Sequence, residues 1–286
     1  MDQGTQTAVA APARTRDGPA GALPDHFSHS SMSAFQDCPR KWRYWYLSKC
    51  PKEFVSSSLL LGKAVHAALE EIHLVHLGGK AQPLEAGFLA FERSWEEEAG
   101  AQEVRFNGGE DRAQAHGLAR RMIRLYVEEH LPRLGRILAI EEEVRVEIAG
   151  MAVPAVGRID TLVEEDGALG VVDAKTSRSA LAGDKLVQAS AQLALYASAL
   201  APLAGRLGRP VRGRFQVFRK LRAPRIETIP VDLPAADLAR SRRTLQETWN
   251  LIAAAHAAGS FPRRASWVCR QCPFQKRCED EAAAGQ

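Results

Sequence analysis

Along the chain, hydrophobic and polar positions show no period until about residue 28. Residues 1–27, built around TAVAAPARTRDGPAGALP, are rich in Ala, Pro, Gly and Thr and predict a disordered tail. A helical segment then starts at Ser33, with Ser31 or Ser33 as its N-cap and Pro39 early enough to be tolerated. LLLGKAVHAALEEIHLVHL carries apolar residues at helical spacing and ends at Gly78-Gly79, a C-cap signal. Helical patterns follow over 84–100 and 111–131, the second broken by Pro132. The period then shortens to two. EEEVRVEIAG, AVPAVGRIDTLVEE and ALGVVDAKTS alternate, with Gly150-Met151 and Asp166-Gly167 as turns between them, which predicts a three-stranded meander. A helix through Leu186–Leu200, strands in VRGRFQVFRK and RIETIPVDL, and a helix from Pro234 to Ala258 complete the pattern. With no repeat and no linker-like stretch after residue 30, the expectation is one α/β domain over 28–280 with a C-terminal extension and a short tail at 281–286.

At 286 residues and 45% hydrophobic composition the chain can build a sizeable core. No run approaches the roughly 18 apolar residues of a membrane span, and no charged segment leads into a hydrophobic one at the start. The expected location is the cytoplasm, with no membrane partner. Net charge is only +4, but its distribution is uneven. From Lys185 to Ile226 there is no acidic residue, while Lys185, Arg206, Arg209, Arg212, Arg214, Arg219, Lys220, Arg222 and Arg225 are basic, a field that suits a polyanion.

The Asp166-Gly167 pair favours a two-residue type I′ turn, and opposed residues in such a hairpin have numbers summing to 333. Asp160 and Asp173 share that sum, so the two carboxylates face each other. Lys175 projects to the same face, two residues on. The strands around them are apolar on both faces, so this pair is expected in a partly buried place. There two carboxylates repel by several kcal/mol unless a cation or proton relieves them. A hard divalent cation is the natural relief.

These residues carry a resemblance. GRID at 157–160, VVDAKTS at 171–177 and QLALY at 192–196 are similar to three motifs of the PD-(D/E)XK nucleases, in particular the RecB-type exonuclease branch, and LGKAVHAALEE resembles the histidine-bearing helix of that branch. The resemblance implies a restriction-endonuclease-like α/β core, a mixed central sheet flanked by helices. It implies that Asp160, Asp173 and His66 ligate Mg²⁺ or Mn²⁺. Lys175 would position the attacking water, and Gln192 and Tyr196 would contact the substrate strand or the lysine. Physical chemistry supports the roles separately: phosphodiester hydrolysis needs an activated water, a Lewis acid and a cation for the accumulating charge. Gln192 and Tyr196 are four residues apart and share one helical face. His73 and His76 on the same helix rival His66. Imidazole is a better ligand for manganese than for magnesium, so Mn²⁺ is expected to serve at least as well.

WVCRQCPFQKRCED places Cys269, Cys272 and Cys278 in a C-x2-C-x5-C pattern that lacks a fourth ligand, which must come from Cys38 or Cys50 far upstream. Cys₄ zinc and a [4Fe-4S] cluster both accept such a set, and spacing alone favours structural Zn²⁺. SMSAFQDCPRKWRYWYL resembles the segment with the first cysteine of iron-sulfur RecB-type nucleases, such as the AddB nuclease domain and the CRISPR adaptation exonucleases. That resemblance implies a [4Fe-4S] cluster on Cys38, Cys269, Cys272 and Cys278, within segments 33–50 and 266–280, and leaves Cys50 without a role. In the same stretch, Trp42, Trp45 and Tyr46 form one helical face expected to pack over the cluster and core, with Arg40, Lys41 and Arg43 as candidate phosphate contacts.

The function these features imply is a metal-dependent DNA nuclease, an exonuclease on ends or single strands, in repair or recombination. No GxxxxGK[ST] motor motif is present, so the chain would act alone, like a CRISPR adaptation nuclease, or beside a separate helicase. A non-catalytic nucleic-acid-binding protein of the same fold, or a site-specific restriction endonuclease, are the weaker alternatives.

Overall fold

The computed structural model describes residues 21–106 and 108–284. The tail expected for residues 1–27 therefore lies outside the described residues as far as residue 20. The folded chain starts earlier than residue 28, because Phe27 is fully buried and belongs to a short strand, β1 (Phe27–Ser28). Ser28, not Ser31 or Ser33, caps α1 (His29–Asp37) by accepting from the Ser31 amide. The helix then breaks at Cys38, which is extended at φ −163°, ψ 112° because proline follows it, and Pro39 opens a new turn, α2 (Pro39–Trp42). A five-residue π-helical turn, Arg43–Leu47, continues it.

Three helices come next: α3 (Ser57–Leu77), α4 (Pro83–Ala101) and α5 (Arg112–Leu125). Short strands β2 (Val55–Ser56) and β3 (Val104–Arg105) pair with each other beside them. After them run β4 (Arg136–Val146), β5 (Ala155–Glu165), β6 (Ala168–Ser177), α6 (Asp184–Leu207), β7 (Val211–Arg219), β8 (Arg225–Val231), α7 (Ala235–Ala257) and a C-terminal helix, α8 (Gln275–Ala283). The predicted meander is there, with β4 starting five residues earlier than the alternation announced. α8 runs past the boundary expected at residue 280.

Strands β4 to β8 lie side by side in sequence order, antiparallel except for the parallel pair β6–β7, which α6 connects. The sheet is covered on both faces, as its two-sided apolar strands require. One face carries α3, α4 and α5 through Leu60, Val65, Ile72, Trp95 and Met122, which meet Val163, Val172 and Phe218. The other carries α6 through Leu193, Tyr196 and Leu200, which meet Leu162, Val171 and Phe215. α6 is apolar enough by length and composition to cross a bilayer, but the apolar face it presents is spent on the sheet. A third cluster ties the two ends of the chain: Phe27, Phe35 and Trp42 pack with Trp249, Ile252 and Phe261.

One detail of the sheet decides where the site lies. β6 pairs with β5 only from Glu165 back to Thr161, and β1 pairs with that same strand at Ala155 and Val156. Residues 157–160 of β5 are left between these two partners. There the strands part.

Candidate active site

The hairpin register follows the turn chemistry, and the predicted pairing holds from Glu165–Ala168 to Thr161–Val172. Asp166 and Gly167 both take positive φ, as a type I′ turn demands. The next pair in that series would be Asp160 with Asp173, but the ladder has ended. Asp160 instead turns its Oδ2 to accept from the Ala174 amide at 2.8 Å. The two aspartates are therefore neighbours across a widening gap, with a backbone amide between them. Asp160 meets His66, whose Nδ1 stands 3.5 Å from Oδ2. Asp173 meets Lys175, with Nζ 2.7 Å from its Oδ2.

α3 delivers His66 because its apolar face, through Val65, Leu69 and Ile72, packs on the sheet beside β5 and β6. The rival His73 is committed elsewhere: buried, it bonds the Tyr126 hydroxyl at 2.6 Å and the Thr161 hydroxyl at 3.2 Å. His76 is exposed at the far end of the helix. On the opposite face, α6 supplies a relay of hydrogen bonds. Lys175 Nζ donates to Gln192 Oε1 at 2.9 Å, and Gln192 Nε2 donates to the Tyr196 hydroxyl at 2.6 Å. Tyr196 packs its ring against Gly157, where any side chain would collide with it. This is the physical content of the glycine in GRID.

Burial, offset only in part by Lys175, pushes the Asp173 carboxyl up to about 6, and Asp160 adds to the rise. Both Asp173 oxygens are buried; Oδ2 is ion-paired with Lys175, and Oδ1 has no hydrogen-bond partner among the described residues. Burial also holds the Tyr196 hydroxyl protonated, well above its ordinary range, so it serves as a neutral partner to Gln192. A carboxylate so enclosed and so poorly satisfied, beside a second carboxylate and an imidazole, fits a divalent cation.

Glu141 was not legible in the sequence. It stands on β4 beside Asp160, and one ligand atom each from His66, Glu141 and Asp160 lie within 4.8 Å of one another. Burial, then the nearby Asp160 and Glu70, push its carboxyl up to about 7. The only available signal was three consecutive glutamates at 141–143, which spacing cannot rank.

A cleft of about 990 Å³ opens from Lys175 and His66 past Trp45, Lys52, Lys63, Arg178 and Lys220. Apart from Lys220, its cations are not those of the basic run. Of the nine singled out there, Lys220 alone lines the cleft, while Arg209, Arg214, Arg219 and Arg225 pair with Glu164, Glu165 and Glu227. The field expected from an acid-free sequence stretch is reduced, with four of its nine cations paired to three carboxylates brought up by the fold. Arg40, Lys41 and Arg43 also face away from the cleft: Arg40 and Lys41 line the cysteine cavity, and Arg43 pairs with Glu281 at 2.6 Å. Trp42 and Tyr46 do pack inward, stacked at 5.5 Å, and Trp42 donates its indole N–H to Ser31 at 2.8 Å. Trp45 departs from that expectation, because it lines the cleft with Lys52 Nζ 4.2 Å above its ring.

The cysteines divide. Cys38, Cys269, Cys272 and Cys278 line one small cavity of about 40 Å³, and Cys50 does not. The break before Pro39 aims Cys38 at the C-terminal segment, where its sulfur accepts from the Arg264 amide at 3.5 Å. Burial, together with the neighbouring Cys38 and Cys278 sulfurs, raises the Cys272 thiol above its ordinary value.

Comparison with solved structures gives a crystal structure of a candidate exonuclease from Eubacterium rectale, 16% identical, with a TM-score of 0.55 over 86% of this chain and 88% of that one. At this identity the likeness is one of fold. A second crystal structure, of SSO0001, is 16% identical over 78% of this chain and 84% of that one, and its TM-score of 0.35 carries no argument. Among curated protein sequences no significant relative was found. The model of the PD-(D/E)XK nuclease superfamily matches residues 26–279, which takes in the parted strands, the lysine relay and all four clustered cysteines. The chain belongs to the PD-(D/E)XK nuclease superfamily.

Proposed function

We propose that the protein is a divalent-cation-dependent deoxyribonuclease that acts as an exonuclease on DNA ends or single strands. The observation that carries this reading is the convergence of Asp160, Asp173 and His66 with the Lys175–Gln192–Tyr196 relay where β5 and β6 separate. A cation held by Asp160, Asp173 and His66 would supply a Lewis acid for the scissile phosphate and help to activate water. The remaining work falls to the chain's own side chains. Lys175 orients the attacking water and offsets the negative charge that accumulates on the phosphoryl oxygens. Gln192 fixes the ammonium through its carbonyl, which leaves the other Lys175 protons free for Asp173 and substrate. Tyr196 orients the Gln192 amide so that oxygen, not nitrogen, faces the lysine.

The cleft supports a single strand as substrate. It combines a ring at Trp45 with ammonium groups at Lys52 and Lys220, the pairing of stacking platform and phosphate contact that tracks unpaired nucleic acid, while Lys63 on the same wall is paired with Glu98. Cys38, Cys269, Cys272 and Cys278 would hold a [4Fe-4S] cluster that staples the two ends of the chain, a role that closing a loop of more than two hundred residues favours. Structural zinc is the competing occupant, and metal and sulfide analysis separates the two. Five cysteines with no disulfide between them fit a reducing compartment such as the cytoplasm.

The nuclease reading is tested by incubating 5′- and 3′-labelled single-stranded DNA with Mn²⁺ and either wild-type protein or Asp173→Ala. Stepwise shortening by wild type alone is the expected result. Equal shortening by both proteins, or by neither, would sink it.

A further inference from the structure

Where β5 loses β6 as its partner, β1 comes alongside. Phe27 and Ser28 pair in parallel with Ala155 and Val156, so the next residue in line with Gly157 is His29, at the mouth of the gap. Its backbone is fixed from both sides: Phe27 is fully buried against Trp249, with ring centroids 5.4 Å apart, and Ser28 caps α1. The half-buried imidazole stands against the main chain of Gln188, one turn before Gln192 on α6. Burial lowers its pKa and Lys175 lowers it further, while the Gln188 main chain and Asp173 act the other way. His29 therefore lies within electrostatic reach of the lysine and the buried carboxylate of the site.

The same residue lines a groove of about 670 Å³ between α1, α6 and the first half of α7, with an apolar floor of Met32, Leu186, Val187, Ala191 and Leu233. That is room for a small organic ligand. The groove and the cleft differ in sign. The cleft sets Lys52, Lys63, Lys175, Arg178 and Lys220 against Glu98 and Glu110, whereas the groove sets Asp37, Asp232 and Asp237 against Arg240. Asp237 meets Arg240 at 3.0 Å and Asp37 meets Lys41 at 3.8 Å, while Asp232 is exposed and forms no ion pair among the described residues. A strand carries a phosphate at every step, so the polyanion that the cleft attracts is repelled at the groove. The part of a strand that suits such a groove is its last base and sugar. We propose that this groove, reached past His29, is the subsite for the terminal nucleoside of a single strand, and that its acidic rim confines cleavage to strand ends. The last phosphodiester then lies at Asp160, Asp173 and Lys175, and the rest of the strand runs along the cleft. Hydrolysis there adds water across one P–O bond, leaves a hydroxyl on one fragment and a phosphate monoester on the other, and releases a single nucleoside unit per cut. This rests on the nuclease reading for the cleavage, though not for the binding.

The test first measures binding without divalent cation, by fluorescence anisotropy of a short oligothymidylate labelled at an internal position. The strand carries hydroxyls at both ends, a phosphate at the 5′ end, or a phosphate at the 3′ end. The variant is Asp232→Lys, in the exposed connection between β8 and α7, with Glu97→Lys on the exposed face of α4 as control. In wild type a phosphate at one of the two ends is expected to weaken binding about fivefold, what a charge pair at contact distance is worth in water, and Asp232→Lys is expected to cut that penalty to about twofold or less. Glu97→Lys is expected to keep it whole. No penalty at either end in wild type, an unchanged penalty in folded Asp232→Lys, or equal relief by Glu97→Lys would each overturn the proposal. With Mn²⁺ added, wild type is expected to shorten linear single strands and to leave circular ones intact. Cutting of circles as fast as linear strands would overturn the proposal and leave the nuclease reading standing. If neither is cut, the nuclease reading fails, and the end-phosphate penalty with its loss in Asp232→Lys alone decides the subsite.

Discussion

Replacing Gly157 by alanine adds a single methyl group where the lysine relay leans on the backbone of β5. A Cβ at residue 157 would stand 2.4 Å from Tyr196 Cε1 and 3.0 Å from Cδ1. Carbon atoms in contact prefer roughly 3.5–4.0 Å, so the ring must recede by about 1 Å. The Tyr196 hydroxyl is 2.6 Å from Gln192 Nε2, and the same displacement carries it to about 3.6 Å, beyond a useful hydrogen bond. Gln192 loses its orienting partner, and Lys175 is then held by Asp173 alone. A misplacement of about 1 Å at catalytic groups costs on the order of a hundredfold in rate. The strain of the extra methyl costs about 1–3 kcal/mol of stability, which leaves the protein folded at assay temperature. Turnover of labelled single-stranded DNA with Mn²⁺ reads the first effect and thermal melting the second. Gly205→Ala is the control, since its added Cβ meets nothing within 4 Å and it lies inside α6. It should gain about 0.5–1 kcal/mol with unchanged turnover. Because the damage acts through the Tyr196 hydroxyl, Gly157→Ala and Tyr196→Phe should be strongly non-additive when combined. Wild-type turnover in folded Gly157→Ala, or rate losses that simply multiply in the double variant, would refute the relay.

Three further outcomes are expected. Trp45→Ala in a cleavage-dead Asp173→Ala background should weaken binding of short single strands by about 1–3 kcal/mol in fluorescence anisotropy, and Lys52→Ala should make the salt dependence shallower by about 0.7 in log–log slope. Burial pushes the His73 imidazole down to about 4, whereas in the unfolded chain it titrates near 6.5. Between those values the unfolded state binds the extra proton, so this group makes stability fall as pH drops from about 6.5 to about 4, by on the order of 3 kcal/mol in all, and urea denaturation of His73→Gln should show a flatter profile. Serine at Cys38, Cys269, Cys272 or Cys278 should each lower the bound iron and sulfide of anaerobically purified protein, while Cys50→Ser should leave both unchanged; retention of cofactor by Cys38→Ser would remove it from the ligand set.

Local geometry made some of this legible in the amino-acid sequence alone. The Asp166-Gly167 turn sets its own φ values, and the pairing it starts placed Asp160 and Asp173 within a residue's reach of each other before any packing was known. A spacing of four on a helix likewise put Gln192 and Tyr196 on one face, and the C-x2-C-x5-C run gathered three cysteines that line a shared cavity. Each rests on hydrogen bonds or side-chain directions that span a few residues. What only the tertiary structure decided depends on partners far apart in sequence, whose meeting is set by burial over the whole chain. Packing of α3 on the sheet chose His66 over His73, and the break at Pro39 with the Trp42–Phe261 stacking chose Cys38 over Cys50. Carboxylates brought up by the sheet pair with four of the nine cations of the basic run, and the cleft is lined instead by Lys52 and Lys220, with Lys63 paired to Glu98. Glu141 reached the site through a single left-handed residue in β4, a backbone state that glutamate does not choose locally and that the surrounding sheet and helices impose.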